Sequence, residues 1–172
     1  MSQQTQNLMK KISLAKVVLN MGVGKSGEPI EIGKKTLVQI TGKKPKARKA
    51  KKAHRDWGVR KGEPIGIAVT VRGNDATELL KKLLVAKDNQ IAEKAFDNEG
   101  NFSFGIKEHI DIPEIKYDPK IGILGLEVSI SLARPGFNIK FNKSKAKVGK
   151  NHRITKNDEI KFLTEEFGVK VV

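Results

Sequence analysis

Between Ala15 and Met21 the chain is apolar and β-branched apart from Lys16 and Asn20, which predicts a buried strand ending at Gly22. Pro29 suits the first turn of a helix, and Ile30, Leu37, Val38 and Ile40 give that helix its expected buried side. Gly42 closes it, because a glycine after a helix enters the left-handed conformation at little cost. Ile65 to Val71 reads as a second strand, closed by Gly73. Asp75-Ala76-Thr77-Glu78 has the form of a capping box, with the acid three residues after the cap. Leu79, Leu80, Leu83 and Leu84 then lay one apolar stripe on the helix that follows.

Further on, Asp97-Asn98-Glu99-Gly100 reads as a turn, and Phe102, Phe104 and Ile106 alternate with Ser103 and Gly105 as in a strand. Glu127 to Ala133 predicts another strand, with Val128, Ile130 and Leu132 facing one way. Thr155 is placed to cap a last helix carrying Ile160, Leu163 and Phe167, stopped by Gly168. Strands and helices mix without strict alternation. The fold class expected is therefore α+β, a mainly antiparallel sheet with helices on one face and the other face free to bind. The 172 residues are expected to make one domain, with residues 1–10 flexible and long basic loops at about 43–63 and 134–156.

Composition narrows the function. The chain has no cysteine, which excludes disulfides, thiolate metal sites and cysteine nucleophiles. No apolar stretch is long enough to span a bilayer, and the polar start lacks a basic region feeding a hydrophobic run, so neither membrane insertion nor a signal peptide is expected. The net charge of +15 asks for an anionic partner.

That charge is concentrated. Between Lys43 and Lys61 stand Lys43, Lys44, Lys46, Arg48, Lys49, Lys51, Lys52, Arg55, Arg60 and Lys61, against Asp56 alone. Between Val128 and Asn157 stand Arg134, Lys140, Lys143, Lys145, Lys147, Lys150, Arg153 and Lys156, with no acid. Outside these two runs the chain is slightly acidic. A lysine run is often just a solvated segment, yet both runs are broken by groups suited to ordered docking. The first holds Pro45, His54, Trp57 and Gly58; the second holds Pro135, Gly136, Phe137, Phe141 and Gly149. Cations that displace counterions at phosphates and aromatics that stack on unpaired bases together favour nucleic acid. A membrane surface would require an amphipathic helix with a broad apolar face, which neither run supplies. The sparse apolar content of the runs suggests that they order largely on binding.

Motifs for catalysis are weak. Gly24-Lys25-Ser26 follows a strand, but a phosphate-cradling loop needs a glycine at position 19, where Leu19 stands. A glycine-rich strand end approached by another backbone is the favoured reading. His54, His109 and His152 are far apart with no partner at metal spacing, so no metal is expected. Glu108 and Asp111 read as solvated carboxylates at a strand end rather than an acid pair. No enzymatic activity and no cofactor are expected.

Four motifs, in order, resemble the family of ribosomal protein five of the large subunit. They are Lys16-Val17-Val18-Leu19-Asn20-Met21-Gly22-Val23-Gly24; Ile40-Thr41-Gly42-Lys43-Lys44-Pro45; Gly62-Glu63-Pro64-Ile65-Gly66 with Val69-Thr70-Val71-Arg72-Gly73; and Gly100-Asn101-Phe102-Ser103-Phe104-Gly105-Ile106-Lys107-Glu108-His109. The likeness runs from Lys10 to Val169. Arg134-Pro135-Gly136-Phe137 through Lys156 resembles the archaeal and eukaryotic branch, and the compact length favours an archaeal source.

The resemblance implies a cytoplasmic, structural protein that binds 5S rRNA in the central protuberance and contacts large-subunit rRNA. It also implies contact with the peptidyl-site tRNA and an intersubunit bridge to small-subunit protein thirteen, with no self-association. Family positions that hydrogen-bond RNA match Asn20, Lys43 and Thr70, with Thr41, Gly42, Lys44, Pro45 and Arg72 beside them. Many members carry Gln where this chain has Lys43, which can only donate. Lys46 and Arg48 also depart from an aliphatic and a small hydroxyl residue. Lys46, Arg48, Lys49, Lys51, Lys52, Lys140, Lys143, Lys145, Lys147, Lys150 and Arg153 are expected to meet other rRNA phosphates. His54, Arg55, Trp57, Arg60 and Lys61 belong to the loop that the family directs toward tRNA. Two rivals remain: an RNA-modifying enzyme, which needs an acid–base cluster beside a pocket, and a DNA-binding protein, which needs a recognition helix or minor-groove arm.

Overall fold

A computed structural model describes residues 7–24, 26–113, 115, 122–142 and 147–172. Five antiparallel strands form the main sheet: β1 (Ser13–Gly22), β2 (Lys46–Lys49), β3 (Pro64–Val71), β5 (Asn101–Ile106) and β6 (Leu126–Ala133). Their spatial order is β2-β3-β1-β6-β5, which puts β1 at the centre. A small parallel pair, β4 (Gln90–Ile91) with β7 (Lys170–Val171), ties the C-terminus to the segment after the second helix. The helices are α1 (Glu28–Thr41), α2 (Asn74–Val85) and α3 (Lys156–Phe167).

Alternation along the strands sorts the side chains between two faces. Val17 stands between Val71 and Ile130, and Leu19 between Val69 and Val128. These residues are buried in one cluster with Phe102, Phe104 and Ile106 of β5. Against that face pack Ile30 and Leu37 of α1, Leu79, Leu80, Leu83 and Leu84 of α2, and Leu163 of α3. The opposite face carries no α-helix among the described residues. The α+β expectation, with helices on one side of an antiparallel sheet, therefore matches the observed architecture.

Local expectations hold at Gly42, whose φ of 65° ends α1, and at Thr155, whose hydroxyl and Asp158 form a reciprocal capping box on α3. Val23 and Gly24 both donate backbone N–H groups to Ile65 O, at 3.0 and 2.9 Å. The expected close approach does not fall on Gly22 or Gly24, where a Cβ would meet nothing within 4 Å; it falls on Gly66 of the paired strand, where a Cβ would stand 3.1 Å from Met21 O. Lys25 lies outside the described residues.

Three further expectations are corrected. Asp75 does not cap α2: the helix starts at Asn74 with Gly73 as its cap, so Asp75 already sits in the first turn and turns its carboxylate to Lys43. Val38 is 44% exposed, because the inward arc of α1 is set by Ile30, Gly33, Thr36 and Leu37. Gly33 in particular lets Ile67 approach so closely that a Cβ would stand 2.7 Å from its Cδ1. Lys46–Lys49 is not loop but edge strand β2, since its backbone pairs with β3 in place of water. Such a cationic edge also discourages pairing with another chain.

Candidate nucleic-acid interface

One row of residues crosses the whole uncovered face: Lys46 on β2, Ala68 on β3, Asn20 on β1, Glu127 on β6 and Gly105 on β5. The next row runs from Thr70 through Val18 and Ser129 to Ser103. Arg48 faces Gly66 and Gly22 one row away, and Lys16 lies beside Ser131. Asn20 and Thr70 are thus diagonal neighbours on adjacent strands, at a spacing of about 7–8 Å between such positions. The face offers hydroxyls, amides and small residues, bordered by the cations Lys46, Arg48 and Lys16. Asn20 Nδ2 donates to Glu127 Oε2 at 3.2 Å.

Lys43 is not brought to this face. It follows Gly42 at the end of α1, and its Nζ lies 2.7 Å from Asp75 Oδ2 at the start of α2. The hydrogen bond and charge of Lys43 hold the Asp75 carboxyl below its ordinary range. Thr41 donates its hydroxyl to Leu37 O at 2.6 Å and accepts from the Lys43 amide, so it shapes the turn from which Lys44 and Pro45 lead into β2. Lys44 and Arg72 are exposed at the same end of the sheet.

Beyond β2, residues 50–63 form a closed loop. Ala50 N donates to Glu63 O, and Gly62 N donates to Ala50 O. Farther out, His54 and Val59 exchange backbone hydrogen bonds, and the rings of His54 and Trp57 lie 4.9 Å apart at 35°. Trp57 is 75% exposed. Lys51, Lys52, Arg55, Arg60 and Lys61 are exposed along the same loop, as is Lys49 where it leaves β2. At its base Glu63 accepts from the Ser26 hydroxyl and from the Arg60 amide, and these bonds, Ser26 first, lower its pKa.

The second basic run is held by a network of its own. Arg134 bonds Arg153 O and Asp158 Oδ2, each at 3.0 Å, and the His152 ring meets Pro135 O at 2.8 Å. Lys140 Nζ sits 5.3 Å from the centre of the Phe137 ring and 3.8 Å from Glu99. Lys140, Lys147 and Arg153 line a cavity of about 320 Å³ with Phe137, Val148 and Ile154. Lys150 and the 85%-exposed Phe141 project nearby; Lys143 and Lys145 lie outside the described residues.

Two buried polar groups lie away from these surfaces. His109 is buried, with Nδ1 accepting from the Leu124 amide at 3.3 Å; it is a satisfied core histidine. Glu159 on α3 is fully buried, and neither carboxyl oxygen has a hydrogen-bond partner among the described residues. Burial first, and then the charge of Asp97, push its pKa up to about 7, while the nearby Gly100 backbone and Lys156 draw it down. The helical spacing of α3 did not single out Glu159, because acids on a helix are ordinarily solvated. Glu127, Ser103, Ser129 and Lys16 were likewise missed on the sheet face. Strand alternation placed them in phase with Asn20, and only the cross-strand register brings them together.

No cluster of metal-ligating side chains occurs among the described residues. The basic residues sit on an edge strand, loops and short turns. A sheet face free of α-helices and bordered by Lys16, Lys46 and Arg48 has the form of a binding surface. Residues 7–60 match the model of the family described as ribosomal protein L5, and residues 64–162 match the model of the C-terminus of that same ribosomal family. The chain is 63% identical over 172 residues to the large ribosomal subunit protein uL5 of Nitrosopumilus maritimus, covering 99% of each chain. It is 58% identical over 165 residues to the protein of the same name from Cenarchaeum symbiosum, covering 95% of this chain and 98% of that one. To the one from Sulfolobus acidocaldarius it is 44% identical over 168 residues, covering 97% and 94%. The chain belongs to the ribosomal protein L5 family, in its archaeal form, and is a structural protein rather than an enzyme.

Proposed function

We propose that this chain, as part of the large ribosomal subunit, binds 5S rRNA through the uncovered sheet face and helps attach it in the central protuberance. The observation that carries this reading is the row from Lys46 to Gly105 across all five strands, with α1, α2 and α3 packed on the other side. Asn20 and Thr70 supply short-range hydrogen bonds at its centre. Lys46, Arg48 and Lys16 neutralise phosphates at its border, and Lys49, Lys51 and Lys52 continue the cationic track. Phosphate contacts orient the protein; contacts to bases and 2′-hydroxyls choose the RNA.

Lys43, Lys44 and Arg72 extend the same surface past the sheet end, and binding draws Lys43 away from Asp75. The loop that carries His54, Arg55, Trp57, Arg60 and Lys61 reaches toward the peptidyl-site tRNA, supported by its closed base and exposed ring pair. The run from Arg134 to Lys156 contacts large-subunit rRNA, with Lys140, Lys147, Lys150 and Arg153 outermost. The chain also contributes to the bridge with small-subunit protein thirteen. No cofactor, membrane or second copy is required.

Titration of 5S rRNA with Asn20→Ala and Thr70→Ala tests the central claim. Each variant is expected to lose roughly 1–3 kcal/mol of binding, the usual cost of stranding a polar partner. Unchanged affinity in both variants would sink it.

A further inference from the structure

The centre of the sheet face has the wrong charge for a phosphate site. Glu127, an exposed carboxylate, stands next to the middle of the row, with Asn20 on one side and Gly105 on the other. Asn20 Nδ2 donates to Glu127 Oε2 at 3.2 Å and so steadies the carboxylate. Each carboxylate oxygen can accept more than one hydrogen bond, so both Glu127 oxygens, side by side, can accept from a ligand. The groove around them measures about 540 Å³ and is bounded by Gly22, Gly105, Lys87 and Lys107. A Cβ added at Gly22 or at Gly105 would meet nothing within 4 Å, so the space above both backbones is open to a flat ligand.

A carboxylate only accepts hydrogen bonds, and it repels phosphate. What it takes best is a planar group with two adjacent N–H donors. Among the bases, guanine alone offers that pair on its Watson–Crick edge, N1–H beside the N2 amino group. Adenine and cytosine set a bare ring nitrogen next to their amino group, and uracil flanks N3–H with carbonyls. In RNA that edge is free only where the base is unpaired. We infer that this groove receives an unpaired guanine of the bound RNA, with the Glu127 carboxylate on its N1–H and N2 amino group and Asn20 held in place beside it. The inference rests on the proposed binding of 5S rRNA to this face, with Lys87 and Lys107 available to the flanking phosphates.

The test uses the full chain and transcribed 5S rRNA in which inosine, lacking the N2 amino group, replaces guanosine at random. Bound and unbound fractions are mapped for interference. The wild-type chain is expected to select against inosine at one unpaired guanine by roughly tenfold, as for loss of part of a bidentate base contact. Glu127→Gln is expected to bind about tenfold more weakly and to show no selection at that position. Glu165→Gln, the same loss of charge at an exposed position on α3, keeps the selection and controls for the change in net charge. If the wild-type chain binds 5S rRNA tightly yet tolerates inosine at every unpaired guanine, the inference is overturned while the proposed function stands. The same holds if the selection persists in Glu127→Gln. If the wild-type chain does not bind 5S rRNA at all, the proposed function fails and takes the inference with it.

Discussion

Replacing Glu159 by glutamine should make the protein more stable at neutral and alkaline pH and leave it little changed in mild acid. The side chain is fully buried on α3, close to the Asp97–Gly100 turn, with both oxygens unpaired among the described residues and Asp97 and Asp158 nearby. Its pKa rises from an ordinary 4.5 to about 7 in the folded chain. An acid whose folded pKa is raised holds its proton more tightly when folded. Its favourable contribution is therefore complete below about pH 4.5, declines as pH rises, and is gone once pH passes about 7.

The gap between the two values, at about 1.4 kcal/mol per unit, corresponds to about 3 kcal/mol lost across that window. Glutamine cannot ionise, so the variant should exceed the wild type by about 2–3 kcal/mol at pH 8 and by little at pH 4.5. For a chain of this length the pH 8 gain corresponds to about 4–12 °C in melting temperature. Urea denaturation followed by circular dichroism at pH 4.5, 6 and 8, at matched ionic strength, measures the difference curve. Asp97 and Asp158 also titrate. Burial raises each, but hydrogen bonds outweigh it, from Asn101 and Glu99 at Asp97 and from Thr155 at Asp158, so both carboxyls sit below their ordinary range. Their contribution is present above that range and lost as pH falls through the lowered values, outside the Glu159 window. A variant–wild-type difference that stays flat from pH 4.5 to 8 would refute the burial of an unpaired acid at this position.

Gly100 adopts φ of 88°, and an added Cβ would lie 3.1 Å from Ile154 Cδ1 and 3.3 Å from its Cβ. Gly100→Ala should therefore cost about 1–3 kcal/mol in urea denaturation, and a cost near zero would count against that packing. Thr155→Ala removes the hydroxyl of the α3 capping box and should cost about 1 kcal/mol by the same assay, with wild-type stability as the contrary result. Arg60→Ala combined with Lys61→Ala should leave 5S rRNA affinity intact and weaken tRNA positioning on reassembled ribosomes. Loss of 5S rRNA in a titration would reverse that division.

Periodicity located β1, β3, β5, β6 and all three helices to within a few residues, because each buries one face and so must repeat at its own period. Lys46–Lys49 escaped that reading. An exposed edge strand has no apolar phase to reveal it, and its pairing is decided by β3. The capping box at Asp75 failed for a related reason: Gly73 starts the helix early, and Lys43, distant in sequence, claims the carboxylate. The candidate site was legible in part. Asn20, Lys43 and Thr70 were singled out by the family resemblance alone, whereas the cations of both runs stood out by their concentration in the sequence.

By itself the sequence determined an α+β fold, a core drawn from strand and helix periods, and a charge gathered in two segments. These follow from local repetition and composition, which need no knowledge of distant contacts. Only the tertiary structure decided that Lys46, Asn20, Glu127 and Gly105 share one row, that Lys43 leaves it for Asp75, and that Glu159 is enclosed. Register across strands and burial at a helix–turn contact depend on residues far apart in the chain. No local pattern encodes them.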